Sequence, residues 1–122
     1  SSELHRRRRI GVIGTAGDRR DQDMVDLGRV AAAHFDLCVV KEDAHLRGRP
    51  VGQAAALVES GVRHASAAGS RTREVRVIPD EIEAVRWALQ QATPGDVVAI
   101  CADRTDPVYA ELETLGRSAM HE

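Results

Sequence analysis

Aromatic side chains are nearly missing from this sequence: 122 residues contain one Phe, one Tyr and one Trp. A core without rings must be assembled from Val, Leu, Ile and Ala, which suits alanine-faced helices on a β-branched parallel sheet. The same scarcity weakens any nucleic-acid reading of Arg6 to Arg9, because no rings interleave with the arginines to stack on bases. A formal net charge of -2 gives no bulk attraction to nucleic acid or to an anionic membrane. No apolar run approaches the length of a membrane span, and no signal-peptide pattern opens the chain, so a cytoplasmic location is expected. Lysine occurs once, at Lys41. The two cysteines, Cys38 and Cys101, both fall in apolar runs and are expected as buried free thiols, with no base spaced to activate either. His5, His34, His45, His64 and His121 are scattered without a metal-ligand spacing, so no metal site is expected.

What is present is a regular alternation. Four short β-branched runs, Ile10 to Gly14, Leu37 to Val40, Val75 to Ile78 and Val97 to Ile100, have the length and continuity of strands buried on both faces. Between and after them the apolar spacing switches to three and four residues. The helical stripes are Met24, Leu27, Ala31 with His34 or Phe35; Val51, Ala54, Ala55, Val58, Val62, Ala65; Ile82, Val85, Leu89, Ala92; and Val108, Leu112, Leu115. Pro79-Asp80 and Thr105-Asp106-Pro107 mark helix starts, Pro94-Gly95 a turn, and Ser66 to Arg73 a surface loop; Trp87 falls off the stripe of its helix. The expectation is an α/β fold: a single Rossmann-like, three-layer domain over residues 1–122, with a mainly parallel sheet and helices on both faces.

In such sheets ligands gather at the carboxyl ends of the strands. After the first run comes Gly11-Val12-Ile13-Gly14-Thr15-Ala16-Gly17-Asp18-Arg19-Arg20-Asp21, with a helix beginning near Asp21. Its glycines let the backbone approach a ligand beside the helix's unpaired amides. The spacing is G-x-x-G-x-x-G, and the acids stand where a dinucleotide's pyrophosphate would rest, so a plain glycine turn with a charged cap remains open beside an anion site. After the second run comes Lys41-Glu42-Asp43-Ala44-His45-Leu46-Arg47-Gly48-Arg49-Pro50. Arginine can grip a carboxylate through two parallel hydrogen bonds while acids hold an ammonium, so this loop could bind an amino acid by both ends. A solvated, charge-balanced connection is the alternative. Asp103 and Asp106 follow the fourth run and belong to no motif.

Taken together, Gly11 to Asp21, the Leu-Gly-Arg-x-Ala-Ala of Leu27 to Ala32, Lys41 to Arg49, the Val77-Ile78-Pro79-Asp80-Glu81 segment and Pro94 to Val98 resemble the C-terminal domain of the Mur ligase superfamily, in its cyanophycin synthetase branch. The likeness runs from about Arg8 to Asp103 in the expected order. It implies an ATP-dependent ligase in which a carboxylate becomes an acyl phosphate and an amino-acid amine attacks it, joining arginine to an aspartate side chain in the cyanophycin case. Muramoyl-peptide ligases carry a Gly-Gly-Asp-Arg-Asp loop and an Asp-Asn-Pro-Arg motif whose arginines help bind the incoming amino acid.

By that resemblance Arg19 takes the first role and Arg47 or Arg49 the second, with Asp43 near the acidic start of the second motif. Asp18, Arg20 and Lys41 join the candidate substrate-binding set, and Gly14, Thr15 and Gly17 supply loop backbone. No catalytic residue is assigned. The sequence lacks a Gly-Lys-Thr phosphate loop and the Asp-Tyr-x-His-Asn stretch that helps engage ATP; Gln53 stands where relatives commonly carry glutamate. ATP and magnesium are therefore expected to bind mainly outside this chain, on a central ATPase domain that would be its partner. The 122 residues alone are expected to be inactive. A stand-alone module binding an anion or amino acid is the alternative, and a homo-oligomer is left open.

Overall fold

The protein is described from a computed structural model, over residues 7–14, 19–43 and 46–101. The expected alternation is present: β1 (Arg9–Ile13), α1 (Asp21–His34), β2 (Leu37–Val40), α2 (Gln53–Ala67), β3 (Glu74–Val77), α3 (Glu81–Gln91) and β4 (Val97–Ile100). The four strands form one parallel sheet in the order β3-β2-β1-β4. Expectations for Val108 to Leu115, Asp103 and Asp106 lie outside the described residues, as do those for Thr15, Gly17, Asp18 and His45. Among the described residues no helix is long and apolar enough to cross a membrane.

The period of two along each strand decides the layering. Ile13, Cys38 and Val40 face a cluster that contains Met24, Ala31 and Ala32 of α1 and Ala54, Val58 and Val62 of α2. Ile10, Val12, Leu37 and Val39 face the other way, onto Ala84, Val85 and Ala88 of α3. Strand order explains why α3 lies apart. From β1 the chain steps outward to β2 and β3, then returns across the sheet to β4; keeping crossovers right-handed while the direction reverses requires the opposite face.

Only the inner strands match the double-sided burial expected of all four. Every residue of β2 is buried, whereas β3 and β4, at the edges, alternate exposed and half-buried positions. Small residues set the spacing of α1 and α2. A Cβ on Gly28 would overlap the Val58 carbonyl oxygen, and one on Gly61 would overlap that of Val25, so the helices cross with their backbones touching.

Four details differ from the sequence expectations. Val51 is 81% exposed, because Gly52 at φ 91 holds the chain out of helical conformation until Gln53. Helix α2 runs into the expected surface loop as far as Ala67, and Thr72 beyond it is buried. The Thr72 hydroxyl donates to the Phe35 carbonyl at 2.6 Å, pinning the end of α1. Trp87 packs against the α3-side core with Arg76 stacked 4.8 Å from its ring centre. The α3 stripe is centred on Glu81, Ala84, Val85 and Ala88, so its alanines, which a hydropathy reading underweights, set the phase. Cys38 is buried, its thiol pKa pushed up by that burial, but Cys101 just past β4 is exposed.

Candidate functional site

The order of strand addition reverses between β1 and β4, and both charged loops leave the sheet's carboxyl edge. Three strand ends continue the ladder there: Lys41 N–H donates to Ile13 O at 2.9 Å, Ile78 N–H to Val40 O at 2.9 Å, and Glu42 N–H to Pro79 O at 2.9 Å. This extension draws the residues after β2 and β3 together, and it turns the lone lysine inward.

Lys41 is 2% exposed. Its Nζ lies 2.8 Å from Glu81 Oε2 and 3.1 Å from Asp43 Oδ1. Burial pulls the ammonium's pKa down, but its hydrogen bonds to Glu81 and Asp43 outweigh that and hold the pKa above the ordinary lysine value. Lys41 is therefore a fixed charge, unsuited to act as a base near neutral pH. Glu81 begins α3, where the helix's unpaired amides favour a carboxylate. Asp80 before it caps the helix by accepting the Glu83 amide at 2.9 Å. Gly14 rests on the lysine stem: a Cβ there would come 2.9 Å from the Lys41 carbonyl oxygen and 3.2 Å from its Cγ. Gly14, which follows β1, thus sits over the ion cluster.

Glu42, also buried, reaches across to α2, accepting the Gly52 amide on Oε1 at 2.9 Å and the Ala55 amide on Oε2 at 3.1 Å. It does the work of a helix cap that Gly52, without a side chain, cannot do. Neither Glu42 nor Glu81 stood among the sequence candidates. The available signal was physical: a single lysine after a buried strand needs a carboxylate, and a glycine before a helix leaves amides unmatched.

Arg49 spans the two loops. Its Nη1 meets Asp21 Oδ1 at 2.7 Å and Gln53 Oε1 at 2.7 Å, and its Nη2 donates to the Arg19 carbonyl at 2.5 Å. Arg47 is placed differently. The Arg49 amide donates to Leu46 O at 3.0 Å, closing a tight turn whose central residues, Arg47 (φ 53) and Gly48 (φ 89), both have positive φ. Positive φ costs a residue with a Cβ roughly 1–2 kcal/mol, so the turn holds Arg47 exposed at its tip under mild strain. Arg19 is exposed beside this turn's base, whereas Arg20 bends back onto Asp23 through two 3.1 Å hydrogen bonds.

Of the sequence candidates, the structure brings Gly14, Lys41 and Asp43 into one buried cluster and joins Arg49 to the backbone of Arg19. It leaves Arg20 paired within its own helix. Among the described residues no group of three or more His, Cys, Asp or Glu is placed to hold a metal ion, so no role for magnesium is assigned to these side chains.

A parallel α/β domain with paired charged loops at the carboxyl edge, where the strand order reverses, is a Rossmann-like module, a class of fold in which ligands gather at that edge. The chain belongs to the Mur ligase C-terminal family: residues 1–104 match the family model described as "Mur ligase, glutamate ligase domain". It is 42% identical over 92 residues to cyanophycin synthetase of Trichormus variabilis, which covers 75% of this chain and 10% of that protein. It is also 36% identical over 93 residues to the UDP-N-acetylmuramoyl-L-alanyl-D-glutamate--2,6-diaminopimelate ligase of Corynebacterium efficiens, covering 75% of this chain and 18% of the relative. The UDP-N-acetylmuramyl-tripeptide synthetase of a Roseiflexus species is likewise 36% identical over 93 residues, 75% of this chain and 17% of its own. The chain spans about a tenth of the length of the cyanophycin synthetases it matches.

Proposed function

We propose that this chain is the substrate-positioning C-terminal domain of a longer ATP-dependent acid–amino-acid ligase. ATP and magnesium, held mainly by a central domain outside this chain, would supply a carboxylate activated as its acyl phosphate. The amine of an incoming amino acid then attacks the acyl carbon: the C–N bond forms, the C–O bond to phosphate breaks, inorganic phosphate leaves and the amine gives up a proton. The part proposed for this chain is to present that amine. Arg19 and Arg47 offer forked donors to the amino acid's carboxylate, which leaves the amine end free to face the acyl group. Lys41 keeps its charge and supports the loops from beneath.

The observation that carries this reading is the junction of the two loops at Arg49, which puts the backbone of Arg19 and the turn bearing Arg47 on one side of the sheet's carboxyl edge. The test is steady-state kinetics of the gene's complete product, following ADP formation as the amino acid is varied. Removing one charge-assisted contact by Arg47→Ala should raise the KM for the amino acid roughly tenfold or more while the KM for ATP stays put. An unchanged amino-acid KM in both Arg19→Ala and Arg47→Ala would remove the basis of the proposal.

A further inference from the structure

Two arginines two residues apart in the second loop have different surroundings. We infer that Arg49 is a positioning residue that latches the start of α1 to the start of α2, and that it does not itself contact the amino acid. The inference rests on the ligase reading only for what the latch serves; the latch itself stands on geometry.

A guanidinium grips a carboxylate by offering two parallel N–H bonds from one edge of its fork. In Arg49 both hydrogens of Nη1 are already directed, one to Asp21 and one to Gln53, and Nη2 donates to the Arg19 carbonyl. Its side chain is 16% exposed. A substrate carboxylate gripping through Nη1 would have to displace these partners, exchanging one carboxylate for another with little net gain. Arg47, held at the turn's tip, has no hydrogen-bond or ion-pair partner among the described residues.

The latch acts on specific atoms. Arg49 fixes the Arg19 carbonyl, and the neighbouring Arg20 carbonyl accepts the Met24 amide at 3.2 Å as the first turn of α1 forms. Orientation of the Arg19 side chain therefore follows from a contact made in the other loop. At the other end Gln53 opens α2, and its amide donates to Pro50 O at 3.2 Å. A neutral amide at this position lets Arg49 bind both helices without a second carboxylate drawing it away from Asp21. Through one side chain, Arg19 and Arg47 hold a set separation.

The experiment combines amide hydrogen exchange with kinetics on the gene's complete product, comparing Arg49→Ala, Arg49→Lys, Asp21→Ala and Arg47→Ala. Arg49→Ala should speed exchange at residues 20–24 about tenfold as the first turn of α1 loses its anchor. Asp21→Ala should reproduce part of that change, and the double variant should fall short of the sum. Arg49→Lys, a point charge in place of a fork, should recover the Asp21 contact only and give intermediate exchange. Arg47→Ala should raise the amino-acid KM and leave exchange at residues 20–24 untouched. Overturning the inference takes an Arg49→Ala variant with unaltered exchange at residues 20–24, or a rise in KM from Arg49→Ala that is strictly additive with Asp21→Ala. Should no variant move the amino-acid KM, the ligase reading falls, while the exchange data still decide whether the latch exists.

Discussion

The two edges of the sheet handle charge differently. At the amino edge the acids staple backbone. Asp96, before β4, accepts the Arg8 and Thr93 amides, each at 2.9 Å, and Asp36, before β2, accepts the Arg9 amide at 2.8 Å and the Arg71 guanidinium at 3.0 Å. These bonds align strand starts; the Asp96 carboxylate is itself covered, while Arg8 and Arg71 remain partly open to water. At the carboxyl edge an ammonium is sealed among carboxylates, and a further acid, Glu42, is buried to cap α2, the helix its own loop leads into. Burying charge is expensive unless every partner is in place. The buried ammonium with its acids is the arrangement that, under the reading proposed above, holds the loops of the carboxyl edge in place.

The sharpest way to break this contrast is Lys41→Met. With the ammonium gone, Glu81 is left an uncompensated buried acid with the half-buried Asp43 beside it, and urea unfolding should show a loss of about 3–5 kcal/mol. Replacing Lys41 and Glu81 together by Met and Gln should cost clearly less than Lys41→Met alone, because the more deeply buried charge, on Glu81, is then not stranded and only Asp43 loses its partner. Next in size, Glu42→Ala should cost about 1–3 kcal/mol, since the Gly52 and Ala55 amides lose a charged acceptor.

The amino edge should respond more mildly. Thr72→Val, measured by the same unfolding assay, should cost roughly 1 kcal/mol for its hydroxyl bonds to the Phe35 and Ala32 carbonyls. The smallest effect is a pH dependence. The bonds from the Arg8 and Thr93 amides lower the Asp96 pKa from 3.8 to about 2. A depressed acid stabilises the fold above its unfolded pKa and loses that contribution as the pH falls through the folded value. The stability difference between the protein and Asp96→Asn should therefore be constant above pH 4 (about the unfolded value) and shrink as pH falls toward about 2. A difference that instead grew with acid would contradict the assignment.

Much of the fold is legible in the sequence because period and punctuation are local. Leu37–Val40 and Val97–Ile100 are strands with the bounds read from their apolar runs, and β1 and β3 begin one residue earlier than expected. The Asp80 cap is an equally local signal. What could not be read depends on the third dimension. Val51 continues the stripe of α2 in sequence, yet Gly52 breaks the backbone after it. The edge exposure of β3 and β4 follows from sheet order, which no single run encodes. The charged loop after β2 reads as one ligand-binding set, but the fold divides it. Lys41 goes inward to Glu81, Glu42 to α2, Arg49 to α1, and Arg47 to the surface. That division required knowing which strand end lies beside which helix start.

The central claim, that this domain presents an amino acid to an activated carboxylate, meets its most direct test in amino-acid-dependent ADP formation. The assay compares the gene's complete product with the 122-residue chain by itself. The account predicts ADP and amide formed in equal amounts by the complete product, only when ATP, magnesium, a carboxylate acceptor and an amino acid are all present, and none by the chain alone. ADP release by the complete product that is indifferent to every amino acid offered, with no amide formed, would contradict it.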